Sequence, residues 1–225
     1  MSTIDTHITV EKLKAELAQT GTQLIAVSKT KPNEQLMELY EQGHRDFGEN
    51  RVQEMADKHE ALPKDIRWHF IGHLQTNKVK YMAPFVHLVH SVDRLKVLKE
   101  INKRARQNER VINCLLQFHI AEEESKFGFD LEEAQAMLES ETYRNMEHVR
   151  LLGVMGMATF TDDQEKVRRE FQALRRIFDT LKADYFAGQP DFKEISMGMS
   201  GDYPIAQEEG STMVRIGSLI FGPRK

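Results

Sequence analysis

Short apolar runs alternate with longer amphipathic stretches along almost the whole chain. The runs lie at residues 24–27, 45–47, 68–71, 85–90, 111–120, 149–157, 192–199 and 213–221. Several are apolar nearly without interruption, as strands covered on both faces are. Leu115, Leu116, Phe118 and Ile120 make up one such run, and Leu151, Leu152, Val154 and Met155 another. The run at 45–47 is the least strand-like, being short and charged.

Between the runs, apolar positions repeat at three and four residues, the helical spacing. Asn33 stands where it would cap a helix over 34–42, with Gly43 just past the end. Asp93 is expected to cap 94–107, on which Leu95, Leu98 and Ile101 form one stripe. Asp130 is expected to cap 131–140. The longest helix spans about 162–186, with Val167, Phe171, Leu174, Phe178 and Leu181 on one face. Arg168, Arg169, Arg175 and Arg176 then form its solvated face. A further helix falls within residues 1–20, ahead of the first strand. Strand and helix alternating about eight times predicts an α/β fold, a single (β/α)₈ TIM-like barrel forming one domain over 1–225. The rival is a doubly wound open sheet. Its usual dinucleotide turn is missing, because the first turn, Ser-Lys-Thr-Lys-Pro-Asn, has no glycine.

Composition narrows the function classes. Of 225 residues, 40% are hydrophobic, enough for a large core, and the net charge is −4. That balance offers no electrostatic footprint for nucleic acid or an anionic membrane. One cysteine, Cys114, excludes a disulfide within the chain and reads as a buried apolar residue. The N-terminus is polar, and no apolar stretch approaches the ~18 residues of a membrane span. A cytoplasmic location is expected.

In a parallel barrel, functional groups gather where strands end. Those positions here are Ser28-Lys29-Thr30, Gly48-Glu49-Asn50, Gly72-His73, His90-Ser91-Val92-Asp93, Lys126-Phe127-Gly128, Met155-Gly156, Ser196 to Ser200 and Arg215 to Ser218. Lys29 follows a buried strand, where low-dielectric walls depress an amine's pKa and make it a nucleophile. Taken locally, an ordinary solvent-reaching lysine is the simpler reading. The segments around Ser200 and Gly217-Ser218 look like anion sites, with glycines that admit backbone N–H groups and hydroxyls beside them. Two ordinary glycine loops are the alternative. Arg215 sits between Val214 and Ile216 and needs a partner, either a carboxylate such as Asp202 or a ligand's ring nitrogen. His69 and His73 are four apart on a strand and its loop rather than a helix, so no metal site is expected. His87 and His90 read as strand or rim residues.

Longer motifs then carry a family resemblance. They are Val-Ser-Lys-Thr-Lys-Pro (27–32), Phe-Gly-Glu-Asn (47–50), Trp-His-Phe-Ile-Gly-His-Leu-Gln (68–75), His-Ser-Val-Asp (90–93), Lys-Phe-Gly-Phe (126–129), Ser-Met-Gly-Met-Ser (196–200) and Val-Arg-Ile-Gly-Ser (214–218). Together they resemble the pyridoxal phosphate homeostasis proteins. The resemblance implies a fold-type III barrel like the N-terminal domain of alanine racemase. It implies that Lys29 holds pyridoxal 5′-phosphate as a Schiff base. Ser200 and the backbone of Gly217 and Ser218 would bind the phosphate, and Arg215 would face the pyridine nitrogen. Asn50, His73 and Met155 would line the pocket. An arginine at that nitrogen leaves it unprotonated and weakens the ring as an electron sink. Only Pro-Arg-Lys follows Gly222, so the racemase's second domain, with its opposing tyrosine base, is not expected. Two-base racemisation needs a base on each face. The expected role is therefore to hold the cofactor, as a monomer, and to supply it to apoenzymes without significant turnover. A weak amino-acid racemase and a barrel for another phosphorylated small molecule are the competing readings.

Overall fold

The computed structural model describes residues 6–122 and 127–222. Lys126, placed above in a strand-end loop, and Pro223, Arg224 and Lys225 lie outside the described residues. Eight strands form where the apolar runs predict them: β1 (Gln23–Val27), β2 (Asp46–Glu49), β3 (Arg67–Phe70), β4 (Leu88–Val92), β5 (Ile112–Gln117), β6 (Val149–Met155), β7 (Glu194–Ser196) and β8 (Met213–Ile216). They pair in parallel and in chain order, and β8 pairs with β1 to close the barrel. The helices, in order, are α1 (Thr6–Ala18), α2 (Asn33–Glu41), α3 (Val52–Ala61), α4 (Val79–Met82), α5 (Leu95–Gln107), α6 (Leu131–Glu139), α7 (Glu141–Arg144), α8 (Gln164–Asp184), α9 (Tyr203–Glu208) and α10 (Ser218–Phe221). None is long and apolar enough to cross a membrane.

Strand side chains alternate between two environments. Outward-facing Phe47, Trp68 and Phe70 pack under the helices, with the α8 stripe of Val167, Phe171, Leu174 and Leu181 buried among them. Inward-facing Ile25, Leu88, Leu115, Met155 and Met213 form a separate, smaller apolar cluster in the lumen.

Several local expectations need correction. Asn33 is the first helical residue of α2 rather than its cap; Pro32 precedes it, with no side-chain hydrogen bond. Asp93 does not cap α5, which starts after Arg94. Its carboxylate instead accepts from Arg94 at 2.6 Å. Asp130 does cap α6, accepting from the Glu133 N–H while Glu133 reaches back to Asp130. The run at 85–90 enters β4 only at Leu88, after a turn in which Arg110 donates to the carbonyls of Ala83 and Val86. His90 and Ser91 lie inside β4, so of the two places expected for His90 it takes the strand. The run at 213–221 breaks at Gly217, and its second half coils into α10. Arg168 is not simply solvated, since it donates to Glu208 and Glu209 and ties α8 to the end of α9.

Gly153 shows how tightly β6 and β7 approach. Its φ is +153°, and a Cβ there would overlap the Glu194 carbonyl oxygen. Gly153→Ala is therefore expected to cost about 2–3 kcal/mol of stability. Urea unfolding of the two proteins checks this; an unchanged midpoint would contradict the close approach.

Candidate functional site

The barrel's closure decides which residues meet. Ile25 of β1 stands opposite Arg215 of β8, and Ala26 opposite Ile216. Two residues beyond the end of β1 comes Lys29, half-buried in a turn. One residue beyond β8 comes Gly217, where a Cβ would stand 3.1 Å from the Val27 carbonyl oxygen. Glycine at this position spares that tight contact and lets the two loops lie close.

Arg215 is buried, 4% exposed, inside the barrel. Its Nη1 donates to Ser196 Oγ at 2.6 Å and its Nη2 to the Gly156 carbonyl at 3.0 Å. Burial lowers its pKa to about 10, against the attraction of Asp202. Asp202 is not hydrogen-bonded to it. The Asp202 carboxylate accepts from the Met199 N–H at 2.5 Å, and burial pushes its pKa up. Of the two partners considered for Arg215, the carboxylate is thus engaged elsewhere.

Ser200 is half-buried in the turn leading to α9, and Ser218 is the first residue of α10, with Gly217 as its N-cap. The first-turn N–H groups of a helix have no intrahelical acceptor, so those of Ser218 and Leu219 point outward from its start. Asn50 follows β2 directly, and its Oδ1 is buried without a hydrogen-bond partner among the described residues. Met155, the last residue of β6, forms part of the lumen cluster beneath the mouth. His73 is exposed on the rim, 3.2 Å from Asp93 Oδ2 and with its ring 4.2 Å from that of Phe127. Lys29, Asn50, Met155, Arg215 and Gly217 thus lie at or just beyond the C-terminal ends of their strands, Ser200 in the turn before α9, Ser218 at the start of α10, and His73 on the rim.

The sequence family described as "Alanine racemase, N-terminal domain" matches residues 8–225. A pyridoxal phosphate homeostasis protein of Aquifex aeolicus is 43% identical over 90% of this chain and 87% of its own. One from Vibrio alginolyticus is 38% identical over 98% and 94%. The chain belongs to the pyridoxal phosphate homeostasis protein family. The structure of PipY from Synechococcus elongatus PCC7942, with PLP bound, superposes with a TM-score of 0.85 at 32% identity, covering 97% of this chain and all of that one. An alanine racemase from Bartonella henselae shares the fold at a TM-score of 0.69 and 18% identity, with 60% of its chain covered.

Sequence reasoning missed the cluster that holds the Lys29 turn. Lys58 of α3 is buried, and its Nζ donates to the Ser28 carbonyl at 2.8 Å and to Glu49 and Glu54 Oε1, each at 2.7 Å. Ser28 Oγ donates to Glu49 at 2.6 Å, and the Thr30 N–H to Glu54 at 2.5 Å. Thr30 sits at φ +62°, a strained value for a β-branched residue. Both neighbours of Lys29 are therefore pinned. Burial raises the pKa of Glu49, outweighing its contacts with Lys58 and Ser28. In the sequence, Lys58 is one charge on an amphipathic helix, and nothing local marks it as buried.

Removing Lys58 leaves Glu49 buried without a counter-ion. Lys58→Met is expected to destabilise the fold by about 3–5 kcal/mol, checked by denaturant unfolding at pH 7; a loss under 1 kcal/mol would contradict it. Buried histidines add a pH dependence. Burial lowers the pKa of His44 to about 4 and that of His90 well below its usual value. Both are neutral when folded, but the unfolded chain takes up their protons below about 6.5. Stability is then full above that pH and falls towards pH 4, by about 1.4 kcal/mol per pH unit for each histidine. Glu49 works the other way, since its raised folded pKa restores stability as pH falls. Asp202, its pKa also pushed up by burial, acts like Glu49, while His87, lowered to about 4 by desolvation, acts like the other histidines. The three histidines outnumber the two carboxylates, so the urea midpoint should drop from pH 7 to pH 5. A flat profile would count against their burial.

Proposed function

We propose that this chain binds pyridoxal 5′-phosphate at the C-terminal mouth, with Lys29 as its Schiff-base residue. Its role is to hold the cofactor and keep it available to apoenzymes, as a cytoplasmic monomer without significant turnover. The observation that carries this reading is the Arg215 guanidinium, buried and oriented at the floor of the mouth, with its nearby carboxylate engaged elsewhere. Two features of the chain fit the group. Asn50 Oδ1 is a buried acceptor with no hydrogen-bond partner among the described residues, and Gly217, with no Cβ to crowd Val27, lets the loop after β8 lie close against the Lys29 turn. The family's name and the PLP-bound PipY structure point the same way.

When bound, the cofactor supplies an aldehyde carbon for imine formation and a conjugated ring that draws electrons. The chain's residues do the rest. Lys29 supplies the amine from a turn fixed on both sides. Arg215, which can only donate, would face the ring nitrogen and would leave it unprotonated. The N–H groups at the start of α10 and the Ser200 hydroxyl would be donors to the cofactor's phosphate. Met155 gives the ring an apolar floor, and Asn50 and His73 line its sides.

Protein purified with cofactor should show the ~420 nm absorbance of imine chemistry, and Lys29→Ala should lose it. Retention of the band in the variant would disprove the lysine assignment. Mass spectrometry of the ligand released on denaturation separates this cofactor from another phosphorylated molecule. A weak racemase would use the same lysine and arginine. Incubation with L-alanine in D₂O is expected to give no Cα deuteration at enzyme-like rates; rapid exchange would establish turnover instead.

A further inference from the structure

Five buried side chains form an unbroken line of hydrogen bonds through the lumen. Asp46, the first residue of β2, accepts from His69 Nε2 of β3 at 3.0 Å. His69 Nδ1 and His90 Nε2 of β4 are 3.0 Å apart. His90 Nδ1 and Ser196 Oγ of β7 are 2.8 Å apart. Ser196 Oγ accepts from Arg215 at 2.6 Å. Strands β4 and β7 are not neighbours in the sheet, so the His90–Ser196 contact crosses the open interior of the barrel.

Both ends of this line have fixed polarity. An arginine can only donate. Asp46 can only accept, because it stays ionised: burial would raise its pKa, but hydrogen bonds from Arg67 and His69 outweigh this and hold it well below the usual carboxylate range. Arg67 donates to both Asp46 oxygens, at 2.7 and 2.5 Å, and supplies the counter-charge. With both imidazoles uncharged, the links between have one solution. Ser196 accepts from Arg215 and donates to His90 Nδ1. His90, neutral in its buried site, donates from Nε2 to His69 Nδ1. His69 donates from Nε2 to Asp46. Between two neutral rings, any reversed link sets two donors or two acceptors against each other; a doubly protonated His69 is the one state that would reverse the line.

We infer that Asp46, His69, His90 and Ser196 form a one-way hydrogen-bond chain that sets the orientation of the Arg215 guanidinium from the far end of the barrel. The tautomers are a property of the protein alone. Calling these four positioning residues for the cofactor rests on the proposed role of Arg215. The chain holds Nη1 through Ser196, while the Gly156 carbonyl holds Nη2, so the guanidinium plane is set at two points. Polarised chains of this kind strengthen link by link, which lets a change at Asp46 reach Ser196.

The tautomers are directly measurable. Long-range ¹H–¹⁵N correlation spectra of the ¹⁵N-histidine-labelled protein without cofactor should show His69 and His90 neutral at pH 7, each protonated on Nε2. A proton on Nδ1 of either ring, or a charged ring, would overturn the chain. In Asp46→Asn the terminal group becomes able to donate, and His90 is expected to lose its single tautomer although it is two links away. An unchanged His90 would show that the links are uncoupled and would also overturn it. Ser196→Ala is the second variant, should the first fail to fold. His90 Nδ1 should then shift towards the position of an acceptor without a donor; no shift overturns the assignment. With pyridoxal phosphate added, Ser196→Ala should bind about tenfold more weakly, as the loss of one hydrogen bond to a charged group implies. Leu88→Val, in the lumen but outside the chain, should bind normally. Equal affinity in Ser196→Ala and Leu88→Val would overturn the positioning role. Failure of the unmodified protein to bind the cofactor would instead refute the proposed site, leaving the tautomers as measured.

Discussion

The pairing of β8 with β1 is the constraint on which the site depends. These strands are the first and last of the sheet, almost two hundred residues apart in the chain, yet Ile25 and Arg215 stand side by side. Closure places the turn carrying Lys29 next to the loop carrying Gly217 and Ser218. It also turns Arg215 inward, because side chains alternate along a strand and Ile25 faces the lumen. Without closure the lysine, the arginine and the start of α10 would belong to separate surfaces.

Closure also creates a problem, which the lumen solves with paired polar groups. A barrel interior is poorly solvated, and a buried charge is costly unless it is hydrogen-bonded and balanced. Arg215 is met by a hydroxyl and a carbonyl, and Asp46 by Arg67 and His69. The apolar cluster of Ile25, Leu88, Leu115, Met155 and Met213 fills part of the same lumen. The interior is thus divided between packing and a polar line running from one end to the other. Outside the sheet, Lys58 plays a comparable part for Lys29, fixing the backbone of Ser28 from α3 while Glu54 fixes that of Thr30.

Much of this was legible in the chain. Eight apolar runs marked eight strands because the strands of a parallel barrel are covered on both faces, and continuous burial writes itself as continuous hydrophobicity. The Asp130 cap was readable because a capping box is local, with both partners three residues apart. Asn33 and Asp93 misled because a capping residue type permits a cap without requiring one. Asp93 is drawn to Arg94 and His73 instead, and His73 is a contact its own segment does not reveal. Strand and rim were both open for His90, because an apolar run does not fix where a strand ends; His90 lies inside β4.

The sequence by itself determined the strand–helix alternation, the strand-end positions of Lys29, Asn50, Arg215, Gly217 and Ser218, and the family, since motifs and periodicities are short-range patterns. Only the tertiary structure decided that Asp202 leaves Arg215 to a serine and a carbonyl, that Lys58 is buried behind Lys29, and that His69 and His90 join Asp46 to Ser196. The physical reason is the same in each case. Those contacts connect strands and helices distant in the chain, and their partners are set by which residues face inward once the sheet has closed.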